Sequence, residues 1–214
     1  MASRRIWDIT PPLGKRTPVF PGDTPFQVYW NTRISDGDPS NVSTLTFSPH
    51  IGAHADAPLH LDRDAADAAA LRLETFIGRC VVIDLSDETS LDAIGPESVD
   101  LTMLPSRVLF KTRRQRPWQW TDQFRALKPQ LVRDLAAEGV GLIGVDTPSI
   151  DPAASTLLVS HRIALSNRMA LLENLDLAEV PAGEYELIAL PLPIEGVEAT
   201  PVRAILRALT ASGK

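Results

Sequence analysis

His50, His54 and His60, three of the chain's four histidines, fall within eleven residues, and Asp56 stands among them. Imidazole and carboxylate are the side chains that hold a borderline divalent metal such as zinc, and imidazole is also the usual proton carrier near neutral pH. In the run His50-Ile51-Gly52-Ala53-His54-Ala55-Asp56-Ala57-Pro58-Leu59-His60 all four occupy even positions. Alternate side chains of an extended chain share a face, so a strand, or a strand running into a loop, would aim them together. A helix would leave His54 about 40° from His50 but swing Asp56 and His60 away. Gly52 and Pro58 also oppose a helix, and the small residues between the histidines leave room for a bound molecule. The expectation is one half of a metal-dependent catalytic centre. The competing reading is a turn-rich segment of ordinary surface or core histidines.

The fourth histidine, His161, is followed by Glu173 in the apolar stretch Leu171-Leu172-Glu173-Asn174-Leu175. A carboxylate in such a setting needs a partner, either a metal cation or an arginine. One continuous helix would put the Cα atoms of His161 and Glu173 about 18 Å apart, too far for a shared compact site. The chain must therefore turn back near Ser166-Asn167-Arg168. This predicts a short helix from His161 to about Asn167 and then an extended segment carrying Glu173.

The elements that must position these residues are mostly strands. β-Branched and aromatic content predicts strands at 5–9, 26–34, 42–48, 79–85, 108–112, 141–146, 185–190 and 202–209, the last also compatible with a helix. Pro129–Glu138 reads as a helix stopped by Gly139; 96–104 and the alanine-rich 64–73 read as two more. Helix 129–138 followed by strand 141–146 gives an α/β rhythm, and 1–214 reads as one α/β domain. At 214 residues the chain can bury a large core, and its eighteen prolines imply many interrupted elements.

A formal net charge of −6 disfavours nucleic acid as a partner. The local exception, Arg113-Arg114-Gln115-Arg116 beside Trp118 and Trp120, could touch an anion or nucleic acid, but reads first as a solvated loop or a subunit contact. Cys80 is the single cysteine, which excludes an intrachain disulfide and a thiolate cluster; its apolar neighbours predict burial. No window approaches a membrane span and the N-terminus lacks a secretory signal, so the expected location is cytoplasmic. Asp146 and Asp151, in a Pro-rich turn, read as turn-forming aspartates or as pocket lining, and Asp84 as turn chemistry at a strand end.

The histidine run resembles the HxGTHxDxPxH signature of the metal-dependent cyclase-like hydrolases, with alanine at position 53 as in the bacterial kynurenine formamidase (arylformamidase) branch. The segments Phe20–Phe26, Gly144–Pro152 and Tyr185–Leu192 resemble further blocks of that branch, so the likeness covers essentially the whole chain. It implies a swivelling β/β/α fold with a mixed sheet core, a homodimer, and two divalent metal ions per subunit, taken as Zn2+. His50, His54 and Asp56 would hold the first ion. His161 and Glu173 would complete the second, with Asp56 and Glu173 bridging. His60 matches the proton donor and acceptor. Phe20 stands where the family often has a tryptophan against the substrate ring; stacking survives with the smaller ring, an indole N–H contact does not.

The implied reaction is hydrolysis of N-formyl-L-kynurenine to L-kynurenine and formate in tryptophan degradation. A divalent metal brings the pKa of water from 15.7 to about 7 and polarises a carbonyl, and His60 would move the proton to the leaving arylamine. Two alternatives remain: another amidohydrolase of the same family, with an isatin-type substrate, and a non-catalytic metal-binding protein.

Overall fold

Period-two patterning governs most of the chain. The computed structural model describes residues 4–88 and 90–209. Its strands are β1 (Ile6–Asp8), β2 (Gln27–Thr32), β3 (Val42–Thr46), β4 (His54–Asp56), β5 (Ile77–Asp84), β6 (Arg107–Lys111), β7 (Leu142–Val145), β8 (Ala170–Glu173), β9 (Gly183–Pro191) and β10 (Ala199–Ala208). Its α-helices are α1 (Pro129–Ala137) and α2 (Val159–Ser166).

Strands β5, β6, β7 and β8 run parallel as neighbours. Antiparallel pairing continues from β8 to β4 and from β4 to β10, and β9 bridges β10 back to β5. Seven strands thus close into a barrel-like mixed sheet, with β1 on the free edge of β10. Closure leaves no open edge in this part of the sheet, a natural end for a twisted sheet of this size. The pair β2–β3 forms a separate ribbon with Tyr29, Trp30, Val42 and Leu45 exposed.

Alternate residues fill the barrel: Cys80 and Val82 from β5, Leu172 from β8, Tyr185, Leu187 and Ala189 from β9, and Val202, Ala204 and Leu206 from β10. The opposite faces of β6 to β8 carry Val108, Phe110, Ile143, Val145 and Leu171, which pack against Leu131, Val132 and Leu135 of α1 and Ala164 of α2. Gly144 faces the barrel interior, where there is no room for a side chain. A Cβ there would strike Leu109 Cδ2 and lie 3.0 Å from Leu175 Cδ1.

Every predicted strand is present, and the ambiguous last segment is strand β10. Two predicted helices are absent. Within 96–104 only Pro96–Ser98 makes a 3-10 turn. The Asp100 carboxylate accepts the Thr102 N–H at 3.0 Å and its hydroxyl at 2.7 Å, and Met103 has φ 55°. That side-chain competition for backbone donors ends any helix. Within 64–73 the chain makes a 3-10 turn at Ala68–Ala70. The backbone there is tied to the loop before β10, the Ala68 N–H donating to the Val197 carbonyl at 3.0 Å, so tertiary pairing overrides alanine's helix propensity. No helix among the described residues is long and apolar enough to cross a membrane.

Candidate metal centre

Register places the first residues. In the antiparallel pair β4–β8, His54 lies opposite Glu173 and Asp56 opposite Leu171. Ala53, Ala55 and Leu172 point into the barrel, so His54, Asp56 and Glu173 emerge together on its outer face. Helix α2 covers that face and brings His161. The turn at 167–169 returns the chain into β8, as the separation of His161 and Glu173 requires.

The expected extended run through His50–His60 is only partly present. Strand β4 covers just three residues, Gly52 takes φ +60°, and Pro58–His60 is a 3-10 turn. His50 and His60 therefore reach the site from turns rather than by strand alternation. A side chain at Gly52 would strike Leu13 Cδ2, so both conformation and space demand glycine there.

Asp56 is the hub. Its carboxylate stands 3.4 Å from His50 Nδ1, 3.6 Å from His54 Nε2 and 3.5 Å from His161 Nε2. These are ion-pair separations, longer than good hydrogen bonds. Glu173 lies beside it, Oε2 at 3.5 Å from His54 Nε2 and Oε1 at 3.2 Å from His161 Nε2, and Oε1 also accepts the Ile150 N–H at 2.9 Å. No arginine is needed for this carboxylate. His54 and His161 are both fixed through Nδ1, which donates to the Gly52 carbonyl at 2.9 Å and to Asp151 Oδ2 at 2.7 Å respectively. In the neutral rings the lone pair is then on Nε2, facing the carboxylates.

The atoms left over fit a cation. His54 Nε2 and both Asp56 oxygens are buried without a hydrogen-bond partner, an arrangement native structures rarely leave unexplained. One potential ligand atom each from His50, His54 and Asp56 lies within 4.8 Å of the others, as does a second set from Asp56, His60 and His161. Nitrogen and carboxylate donors of this kind suit zinc and its neighbours. Asp56 belongs to both sets. His60 stands in the second, where Glu173 had been expected, and Glu173 lies between the two.

Charge is balanced within the cluster. Burial alone would raise Asp56, but the imidazoles of His161, His50 and His54 hold it well below the usual carboxylate range. Burial and the charge of Asp56 push Glu173 up, yet His161 and His54 keep it below its ordinary value. Burial lowers His50, and Asp56 with Glu173 and Glu198 outweighs it, raising the group to about 9. His161 is likewise held well above 6.5, against burial, by Glu173, Asp151 and Asp56. His60 goes the other way: burial and the neighbouring His50 and His161 lower it despite Asp56. It is the imidazole best kept neutral and able to accept a proton at neutral pH.

A cavity of about 440 Å³ opens over the cluster, lined by His50, His60, His161 and Glu173. Phe20 lines it too, with Trp120 edge-on at 5.0 Å between ring centroids. The basic, aromatic loop is therefore cavity wall at Arg113, Arg116 and Trp120, which the reading as a solvated loop had missed. Spacing along the chain gave no sign of it, because the loop meets the cluster only through strand order. Glu198, 3.4 Å from His50 Nε2, was missed for the same reason. Asp151 does more than the turn-forming or pocket-lining role its setting suggests. It accepts the Ser160 and His161 N–H groups at 3.0 Å each, starting α2 while it orients the His161 ring. Asp146 combines both expected roles, lining the cavity and accepting from Thr112. Cys80 is buried in the barrel, and Asp84 closes a turn on Ser86.

The Cyclase family matches residues 7–152. The chain is 50% identical over 210 residues to a kynurenine formamidase of Bordetella avium (strain 197N), covering 96% of this chain and 99% of the relative. A structure described as a predicted metal-dependent hydrolase from Bacillus stearothermophilus superposes with TM-score 0.83 at 26% identity, over 96% of this chain and 99% of that one. Isatin hydrolase A from Labrenzia aggregata shares the fold, with TM-score 0.82 at 23% identity over 96% and 94% of the two chains.

Proposed function

The chain belongs to the Cyclase family, and from that membership we propose that it is a metal-dependent amide hydrolase converting N-formyl-L-kynurenine to L-kynurenine and formate. The observation that carries the reading is Asp56: buried, ionised, ringed by three imidazoles, with both oxygens unpartnered. Half identity to a kynurenine formamidase over nearly the full length supports the choice of substrate.

On this reading His50, His54 and Asp56 would hold one divalent ion, and Asp56 with His161 and Glu173 would hold a second, both zinc. Bound ions of this kind supply Lewis acidity and bring the pKa of water to about 7. The chain's own residues do the rest. Gly52 and Asp151 lock two imidazoles in the orientation that ligation needs. Phe20 and Trp120 form the apolar wall for the aryl ring, Trp120 offering the indole that position 20 lacks. His60, kept neutral, takes the proton of the attacking water and returns it to the aniline nitrogen. As the water oxygen bonds to the formyl carbon the C–N bond breaks, its electron pair stays on the protonated nitrogen so that the arylamine departs neutral, and the formic acid formed gives its remaining proton to solvent as formate.

The same reading takes 1–214 as one hydrolase domain working in the cytoplasm as a homodimer. The exposed Tyr29, Trp30, Val42 and Leu45 of the β2–β3 ribbon suit contact with a second copy. The test follows formyl-kynurenine hydrolysis optically, with and without chelator, alongside elemental analysis. Turnover lost on chelation and restored by zinc is expected. Hydrolysis of isatin but not of the formamide would move the substrate assignment, and stoichiometric metal without either activity would leave a metal-binding protein.

A further inference from the structure

Two arginines line the cavity, and their situations differ. The Arg116 guanidinium has partners, with Nε 3.8 Å from Asp176 Oδ2 and the group 3.9 Å over the Trp118 ring. The half-buried Arg113 guanidinium takes part in no ion pair or hydrogen bond among the described residues. Only its backbone is engaged, the N–H donating to Asp146 Oδ2 at 3.2 Å. Burial pushes its pKa down, partly countered by the charge of Asp146. A cation drawn out of water without a partner is costly unless a ligand brings the anion.

The topology says where that anion would lie. Strands β6, β7 and β8 are parallel neighbours, and ligands of such sheets collect beyond the carboxyl ends of the strands. Glu173 ends β8, Asp146 follows β7, and Arg113 follows β6 by two residues. Two strand spacings, about 10 Å, separate Glu173 from Phe110, which is level with it in register, and Arg113 lies three residues further along, so the two backbones stand up to about 14 Å apart. In N-formyl-L-kynurenine seven covalent bonds join the formyl carbon to the carboxylate carbon, about 8 Å when extended. A formyl group over the metal cluster therefore leaves the amino-acid end within reach of a long side chain at position 113.

We propose that Arg113 is a specificity-determining residue that receives the α-carboxylate of the substrate, an assignment that rests on the formamidase reading above. A guanidinium offers the bidentate geometry a carboxylate requires. Asp146 acts as a positioning residue. Its carboxylate takes the Thr112 N–H at 2.9 Å, the Thr112 hydroxyl at 2.6 Å and the Arg113 N–H, clamping the turn that presents the arginine. With its oxygens so engaged, it makes no ion pair with the guanidinium.

The test uses the holoenzyme with two formamides: N-formyl-L-kynurenine, and 2′-formamidoacetophenone, which keeps the formylated aryl ketone and lacks the amino-acid end. The wild-type protein is expected to favour the first in kcat/KM by about 10- to 100-fold, the range of hydrogen bonds to charged groups. Arg113→Gln should collapse that ratio, chiefly through KM, and weaken calorimetric binding of L-kynurenine but not of 2-aminoacetophenone. Arg113→Lys, which keeps the charge without the fork, should fall between and serves if the glutamine variant does not fold. An unchanged ratio and unchanged kynurenine affinity in both variants would overturn the role of Arg113 while formamide hydrolysis stands. Equal use of both formamides by the wild type would do the same. Hydrolysis of neither by the wild type would remove the formamidase reading and this assignment with it.

Discussion

Stripping metal from the protein should make its stability depend on pH in a window where the loaded protein is insensitive. In the polypeptide by itself His50 is raised from 6.5 to about 9, burial opposing and Asp56 outweighing it. A base whose pKa rises on folding adds stability that is fully present below its unfolded value, here 6.5, and is lost as pH climbs through about 9. At about 1.4 kcal/mol per pKa unit the gap is worth about 3 kcal/mol. His161, also raised, adds with the same sign. His60 is lowered, so its contribution has the opposite sign and lies at and below the unfolded value, outside the window. For a chain of this size 3 kcal/mol corresponds to a fall in Tm of about 6–12 °C between pH 6.5 and pH 9. As ligands the same imidazoles are neutral, so metal uptake must release their protons and tighten with pH. Thermal unfolding of chelated and zinc-loaded protein at half-unit pH steps, with proton release on titrating zinc, measures both. A chelated protein with a flat Tm across the window, or a loaded protein with the same slope, would refute the assignment of these imidazoles as ligands balanced by Asp56.

Replacing His60 with alanine is expected to keep the metal content per subunit and to lower kcat by about 10²- to 10⁴-fold, the usual worth of a positioned acid–base group; loss of one ion per subunit would make it a ligand instead, as its place beside Asp56 and His161 permits. Gly144→Ala should cost about 2 kcal/mol and lower Tm by about 4–8 °C in thermal melts, because the added Cβ meets Leu109 and Leu175 inside the packed barrel. A neutral result there would mean that strand β7 can shift, and with it the turn carrying Asp146.

Which parts of this site could be read from the sequence follows from how each residue is placed. His54, Asp56 and Glu173 were legible because strand alternation and the turn before β8 act over a few residues. Helix α2 and its return were legible because His161 and Glu173 could not otherwise meet. The strands themselves announced their positions through β-branched composition, but their order did not. Parallel neighbours β6, β7 and β8 are joined through long connections, so the company that Arg113 and Trp120 keep is decided by pairing between segments far apart in sequence. The missed helices at 64–73 and 96–104 have the same origin. Local propensity favoured helix, and hydrogen bonds to the Asp100 carboxylate and to the Val197 carbonyl took the backbone donors first.

Asp151 shows why the remainder was hidden. Its ten-residue separation from His161 has no periodic meaning, and its Pro-rich setting accounts for an aspartate without any partner. Only the folded chain reveals that one carboxylate both starts α2 and holds the imidazole ring. Gly52 does the corresponding work for His54 through its carbonyl, at a backbone angle few other residues adopt. Both imidazoles are thereby made to present Nε2 toward Asp56 and Glu173 before any ligand arrives. The polypeptide satisfies polar groups around this cluster with care, down to the Ile150 N–H on Glu173. It leaves His54 Nε2 and both Asp56 oxygens without a partner. Three unpartnered atoms gathered at the point where the surrounding residues have been arranged to aim are best explained as the place of a cation, since a fold that merely tolerated buried charge would gain stability by filling it.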